Sequence, residues 1–238
     1  MPVRYEEEYA AYNSTWHLED APHKVDDVLR SIARASLRPT SVCDIGCGIG
    51  EVLAQLHIRL RLERAVGYDV SQYAITRARK RETDGLRFRV GDPTLDAESC
   101  DLMLMLDVIE HVADPVAFLT RVKDKAPLAI MNIPLELSAQ KVLRARSLAR
   151  GRRGLGHLHY FNEHLVQELL TETGYRVRDA WIRPPGTGTL PDPTRRWLRA
   201  TQRTAARAHP SLAARTIGGC SLMIVATSRT ASAGQERP

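Results

Sequence analysis

One stretch constrains what this chain can fold into more than any other: Ser41-Val42-Cys43-Asp44-Ile45-Gly46-Cys47-Gly48-Ile49-Gly50-Glu51. Val42, Cys43 and Ile45 favour a short buried strand. Gly46, Gly48 and Gly50 then permit positive φ and leave room for a ligand to come close. A helix over about residues 51–60 follows. Its unpaired N–H groups point at whatever lies over the turn. A strand, a glycine-rich turn and a helix in this order read as a nucleotide-type site. The spacing is G-x-G-x-G, whereas dinucleotide binders carry G-x-G-x-x-G.

The charge beside the turn narrows the ligand. Asp44, just before the first glycine, repels a phosphate and attracts a cation. S-adenosylmethionine has an ammonium, a sulfonium and no phosphate, so it suits such a turn. A glycine triplet alone is equally compatible with a plain strand-to-helix turn, and the rest of the chain decides.

With 238 residues and 43% hydrophobic content, the chain suffices for one sizeable domain carrying a small cap. No run of eighteen apolar residues occurs, so no membrane span is expected. The opening residues, Met1 to Glu8, lack the apolar centre of a signal peptide. Cys43, Cys47, Cys100 and Cys220 form no C-x-x-C pair, and three lie in apolar strand-like stretches. Buried thiols in a reducing compartment account for them, and a cytoplasmic location is the expectation. The net charge of +6 is unevenly placed, with basic residues gathered at 141–153 and 194–215. That allows an anionic partner without requiring nucleic acid.

Tyr5, Tyr9, Tyr12 and Trp16 recur at helical spacing, as a stripe that either packs on the core or caps a pocket. A second helix, with Pro22 near its start, turns Val25, Val28, Leu29 and Ile32 inward and ends near Ser36. After the glycine turn and its helix, Ala65 to Asp69 reads as a strand ending in an acid. Such an acid, roughly twenty residues past the turn, can grip two ribose hydroxyls. Ser71 caps a helix to about Arg81, and Leu86 to Val90 alternates as a third strand before Gly91-Asp92-Pro93. Cys100 to Leu106 is apolar on both faces, as a central parallel strand is, and delivers Asp107, Glu110 and His111 at its end. Asp114-Pro115 opens another helix, and Leu128 to Ile133 forms a fifth strand. The repeated β-α pattern predicts a doubly wound parallel sheet, on which ligands bind at the strands' carboxyl ends. Asp44, Asp69, Asp92 and Asp107 all fall at or just past such ends.

Beyond this, residues 136–153 read as an inserted basic helix, hinged by Gly154 and Gly156. His157 to Phe161 is a compact His/aromatic run. Asn162 caps a helix with Leu165, Leu169 and Leu170 inward. Tyr175 to Ile182 reads as a strand, residues 184–193 as a Pro/Gly-rich loop, and Arg196 to Arg207 as a basic helical stripe. Ile217 to Ala226 is expected to close the sheet as an antiparallel edge. The divisions expected are a helical cap over 1–36, a main domain over 37–230 with a lid-like segment at 136–161, and a tail over 231–238.

Taken together, the residues resemble the class I S-adenosylmethionine-dependent methyltransferases, over about residues 40–183. The stretches that carry the resemblance are Asp44 to Gly50, Gly67 to Ser71, Gly91-Asp92-Pro93 and Leu106 to Pro115. His157 to Phe161, followed by a helix and Thr173-Gly174-Tyr175, is similar to the small-molecule branch that contains ubiquinone-biosynthesis O-methyltransferases. The resemblance implies a Rossmann-like seven-stranded sheet, mostly parallel with an antiparallel last strand. It implies that Asp44 and the turn of Gly46, Cys47, Gly48 and Gly50 hold the methionine part. Asp69 and Val70 would then hold the ribose, and Asp92 with Pro93 the adenine. Leu106 and Asp107 would line the methyl end. In-line displacement on the sulfonium methyl is implied, most of its acceleration being positioning.

The residues assigned to catalysis are His111, as general base toward a hydroxyl, and Asp107. Two alternatives for His111 stay open: packing beneath the cofactor, or joining Asp107 and Glu110 as a metal ligand. No metal is assigned. Tyr12, Trp16, His157 and His159 are the substrate candidates, the two histidines sharing a face if the segment is extended. The acceptor is expected to be a small molecule, with an anionic one allowed, methylated on oxygen; nitrogen, carbon, RNA or protein acceptors are the alternatives. The basic stretches read as solvated faces or as surfaces closing over an anion or a membrane. A monomer or homodimer is expected.

Overall fold

The computed structural model describes residues 18–144, 146–185 and 193–228. Tyr12 and Trp16, most of the Pro/Gly-rich loop and the tail lie outside the described residues.

The chain runs α1 (Ala21–Arg34), β1 (Ser41–Ile45), α2 (Glu51–Leu60), β2 (Arg64–Asp69), α3 (Gln72–Ala78), β3 (Leu86–Val90), a single turn α4 (Pro93–Asp96) and β4 (Leu102–Leu106). It continues with α5 (Pro115–Val122), β5 (Leu128–Pro134), α6 (Ala139–Leu143), α7 (Arg146–Gly154), α8 (Glu163–Glu172), β6 (Tyr175–Arg183), α9 (Pro193–Ala208), α10 (Pro210–Thr216) and β7 (Ser221–Ser228). The starts of several helices are fixed by short polar side chains, as the sequence pattern indicates. Ser71 accepts from the Ala74 N–H at 3.1 Å, Asp114 from Ala117 at 2.9 Å and Asn162 from Leu165 at 2.9 Å.

The strands form one seven-stranded sheet in the order β3-β2-β1-β4-β5-β7-β6. β3 to β5 pair in parallel, and β7 runs antiparallel to both β5 and β6. β7 therefore lies inside the sheet, not at the edge where the reading of the sequence put it. The reason is burial: Leu222 to Ala226 are all buried, so both faces need cover, which an edge position with one free side supplies poorly. β6, with Arg176, Arg178 and Asp179 along it, carries the charges that suit an edge.

Alternation along β4 splits the core into two layers. Leu102, Leu104 and Leu106 face α1 and α2 (Val25, Val28, Ile32, Leu53, Leu56). Met103 and Met105 face α5 and α8 (Phe118, Leu119, Val122, Val166, Leu170). Each such side chain contributes about 1.5–3 kcal/mol on burial. On α8 the inward residues are Val166 and Leu170; Leu165, expected inside, is exposed. The single basic helix expected over 136–153 is two helices, α6 and α7. α1 is also pinned to β6: Trp181 donates to Ser31 Oγ at 3.2 Å, and Arg34 pairs with Asp179 at 2.7 Å.

Candidate active site

The connections diverge between β1 and β4, which are neighbours in the sheet, so a crevice opens at their carboxyl ends. There lies a cavity of about 840 Å³, within the ~300–1,000 Å³ usual for small-molecule sites. Asp44, Asp69, Asp92 and Asp107 all line it, as do Gly46, Cys47, Gly48, Val70 and Leu106. The four acids singled out from sequence thus converge on one space.

On one side the cavity wall is held by backbone groups. Gly46 and Cys47 donate N–H bonds to the Tyr68 carbonyl at 2.8 and 3.0 Å, tying the turn to β2. Asp69 accepts from the Gly48 N–H and the Ser71 N–H, both at 2.8 Å, and so joins the glycine turn to the start of α3. Gly46 and Gly50 have φ of 70° and 79°. A Cβ on Gly46 would stand 2.7 Å from Val108 Cγ2, and one on Gly50 2.5 Å from Phe88. These two glycines are needed by the protein's own packing, beyond any approach of a ligand. Asp92 is exposed on the rim and accepts from the Thr94 N–H at 2.8 Å. Pro93 opens α4.

Asp44 is 3% exposed. Burial, with Asp69 adding to it and Lys24 opposing, pushes its carboxyl up to about 7. The Cys47 thiol is likewise pushed up by burial and by both carboxylates, so it is protonated and inert.

The other side is held by side chains. Asp107 sits at φ 61°, a left-handed conformation rare for a residue with a Cβ. Its carboxylate accepts from Asn132 Nδ2 at 2.5 Å and pairs with the Lys24 ammonium at 2.7 Å. Burial opposes the charge on Lys24, but Asp107, with Glu110 and Asp44 behind it, holds the ammonium above its ordinary value. Glu110 is 1% exposed, and neither carboxylate oxygen has a hydrogen-bond partner. Burial, then Asp107, holds it well above the usual range.

His111 Nδ1 lies 3.2 Å from the Gly156 carbonyl, which assigns the proton to that nitrogen. Burial, then the neighbouring His157, lowers it to about 4, so the ring is neutral. His157 is edge-on to His111, with centroids 4.8 Å apart, and its Nδ1 meets Glu136 Oε2 at 2.5 Å. Glu136 also pairs with Lys141; burial raises its carboxyl, but these two partners prevail and bring it down to about 2. Ligand atoms of Glu110, His111 and His157 all lie within 4.8 Å of one another.

His159 does not share the cavity with His157. The Leu158 and His159 N–H groups both donate to the Glu110 carbonyl, at 2.7 and 3.1 Å. That breaks the extended run on which the two rings would share a face. His159 turns instead to the Ala113 carbonyl at 3.3 Å. Lys24, Asn132 and Glu136 were missed by sequence reasoning. Lys24 had left a signal, since it lies one turn before Val28 on the apolar stripe of α1, a cation on an inward face. Glu136 left none.

Strand order, glycine turn and acid-lined crevice define an α/β enzyme that holds a nucleoside cofactor at a topological switch point. A family model described as a methyltransferase domain matches residues 17–180. The ubiquinone biosynthesis O-methyltransferase of Dinoroseobacter shibae is 39% identical over 89 residues, covering 35% of this chain and 35% of that protein. The protein of the same name from Ruegeria sp. TM1040 is 38% identical over 85 residues, 33% of this chain and 34% of that one. The chain therefore aligns with about a third of these curated relatives' length. Among solved structures, magnesium protoporphyrin IX methyltransferase from Synechocystis PCC 6803, with bound S-adenosylhomocysteine, has a TM-score of 0.58 at 16% identity, covering 96% of this chain and 89% of that one. The plantazolicin methyltransferase BpumL has a TM-score of 0.60 at 15% identity, covering 95% and 90%. Both share the fold.

The chain belongs to the class I S-adenosylmethionine-dependent methyltransferases. S-adenosylmethionine is its cofactor, and the donor set fits it. A buried carboxyl held at about 7 gains its charge when a cation comes beside it. A pyrophosphate would meet carboxylates around the same rim.

Proposed function

We propose that this enzyme methylates an oxygen of a small molecule. The convergence of four strand-end carboxylates with the glycine turn on one cavity carries the reading. When bound, the cofactor supplies a sulfonium methyl for in-line transfer. Asp44 and the glycine turn hold its methionine part, Asp69 and Val70 the ribose, and Asp92 with Pro93 the adenine, while Leu106 and Asp107 line the methyl end. Oxygen as the acceptor atom is supported by the names of the curated relatives and by the neutral His111 in the cavity wall. His111 keeps its proton on Nδ1, toward Gly156, and offers Nε2 to an acceptor hydroxyl. Asp107, engaged by Lys24 and Asn132, positions its neighbours instead of taking the proton. His157, held by Glu136, forms part of the acceptor wall.

One observation favours a second means of activating the hydroxyl: the two unpartnered oxygens of buried Glu110 beside His111 and His157. A divalent cation there would satisfy that carboxylate and bind the acceptor oxygen. Dialysis against a chelator separates the two routes, because base catalysis survives it and cation catalysis does not.

The test of the acceptor is product mass spectrometry after incubation with S-adenosylmethionine and a panel of phenols, carboxylates, amines and RNA. The proposal expects one added methyl, on oxygen, in a small-molecule product. A methyl on nitrogen or carbon, or on RNA alone, overturns it.

A further inference from the structure

We infer that a second cavity, at the β6 edge of the sheet, binds an oxyanion at the far end of the acceptor, held by Arg30, Arg203 and Arg207. The inference rests on the reading of an acceptor hydroxyl beside His111 and names what the acceptor's other end carries. This cavity measures about 840 Å³, as large as the active-site cavity. Residues of α1, β6, α9 and the start of α10 line it.

Its charges do not cancel. The acids in its wall are already engaged: Asp26 pairs with Arg59 at 2.8 Å, Asp27 with Arg183, and Glu163 with Arg215 at 3.6 Å. Arg34, in the same wall, is taken by Asp179. Among the described residues no carboxylate pairs with Arg30, Arg203 or Arg207, although Arg30 adds to the field on Asp27. Arg203 and Arg207 lie four residues apart on α9, so they share a face, where like charges repel. Arg30 stands over the Trp181 ring, 4.9 Å from its centroid. A guanidinium against a ring keeps its N–H donors for an anion. Three such groups around one cleft fit a carboxylate or a phosphate, both of which accept paired N–H bonds.

The sheet joins this cavity to the active site. Arg183 lines both, and the adjacent β7 residues Ser221 and Leu222 line one each. The register puts Leu106, Asn132, Met223 and Trp181 in one row across β4, β5, β7 and β6. Three strand spacings, about 14 Å, therefore separate Leu106 at the methyl end from Trp181. Within the active-site cavity Lys24 and Lys141 are paired with acids, and Asp44, Asp69 and Asp92 line the same space, so an anionic group is better placed outside it. The acceptor this describes is elongated, with a hydroxyl at one end and an oxyanion at the other.

The test is calorimetric titration, with S-adenosylhomocysteine saturating, of hydroxyphenyl alkanoic acids of increasing chain length, the matching hydroxyphenyl alkyl phosphates and the neutral methyl esters of the acids. One of the two anions is expected to bind about tenfold tighter than the ester, the scale of a charge-assisted bond, once the chain spans about 14 Å. Shorter members should show no such preference. The anion that binds tighter, carboxylate or phosphate, identifies the group the site takes. Arg30→Gln and Arg203→Gln should each remove most of the preference and leave ester binding unchanged, which also shows that the fold is kept. Arg203→Lys keeps the charge and loses the fork, and should fall between. A preference already present in the shortest members, one that survives the double variant Arg30→Gln/Arg203→Gln, no preference at all, or no binding by any member overturns the inference. Oxygen methylation of the esters without any preference for the anions leaves the proposed function standing while this inference falls. A methyl on nitrogen or carbon, or on RNA alone, overturns both.

Discussion

The two walls of the cavity are built by different means. The wall formed by β1, β2 and the glycine turn is held by backbone donors: Gly46, Cys47, Gly48 and Ser71 all give N–H bonds to groups a few residues away or one strand over. The wall formed by the segments after β4 and β5 is held by side chains meeting across long separations, as in Lys24 with Asp107 and Glu136 with His157. The first wall rests on positive-φ glycines with no room for a Cβ and on the Asp69 carboxylate that receives its N–H groups, so it tolerates little change in its glycines and acids. The second can be rebuilt pair by pair. That difference fits a site whose cofactor is constant while its acceptor is selected by exchangeable groups.

The largest effect expected is on the first wall. Gly50→Ala places a methyl against Phe88 and forces an L side chain into positive φ. It should lower unfolding free energy in urea by about 3 kcal/mol. An unchanged midpoint would show that this wall is not built as described.

Asp44→Asn comes next. It should weaken S-adenosylhomocysteine about a hundredfold, by removing the charge that meets the ammonium. The unliganded protein should melt at a higher temperature at pH 8. The sign follows from the raised carboxyl. Stability from Asp44 is fully present below its unfolded value of 3.8 and is lost as pH rises through about 7. Above that, a buried carboxylate must be carried, and asparagine does not carry one.

The same titration predicts a third, smaller effect. Between pH 6 and 8 the ionised fraction of a group at about 7 rises about tenfold, so affinity for S-adenosylhomocysteine should rise by that factor and then level off. Lys24, Asp69 and Cys47 face Asp44 from α1, β2 and the turn, and shape the curve without reversing it. Asp44→Asn should flatten it. The smallest effect sharpens the contrast from the other wall. Glu136→Gln should lower kcat about fivefold through loss of the His157 anchor, while cofactor affinity stays within about twofold. A matching fall in cofactor affinity would mean that the walls do not act separately.

Legibility in the sequence divides along the same line. Asp44, Asp69, Asp92 and Asp107 could be read because each sits where a strand ends and a turn residue begins, a local pattern. The parallel pairing of β1 to β5 follows from repeated β-α units, whereas their order in the sheet does not. The placement of β7 could not be read from its position as last strand, though five consecutive buried residues at 222–226 signal an interior strand. Glu136 and Asn132 are ordinary polar residues in sequence and acquire meaning only through partners 21 and 25 residues away. The parting of His157 and His159 depends on two N–H groups sharing the Glu110 carbonyl, a bond that no spacing rule announces.

The central claim is that carboxylates around this crevice select a positively charged sulfur nucleoside. Calorimetric titration of the wild-type protein with S-adenosylmethionine and, separately, with NADH tests it directly. The account predicts one-to-one binding of S-adenosylmethionine and no binding of NADH. Binding of NADH that S-adenosylmethionine fails to displace would contradict it.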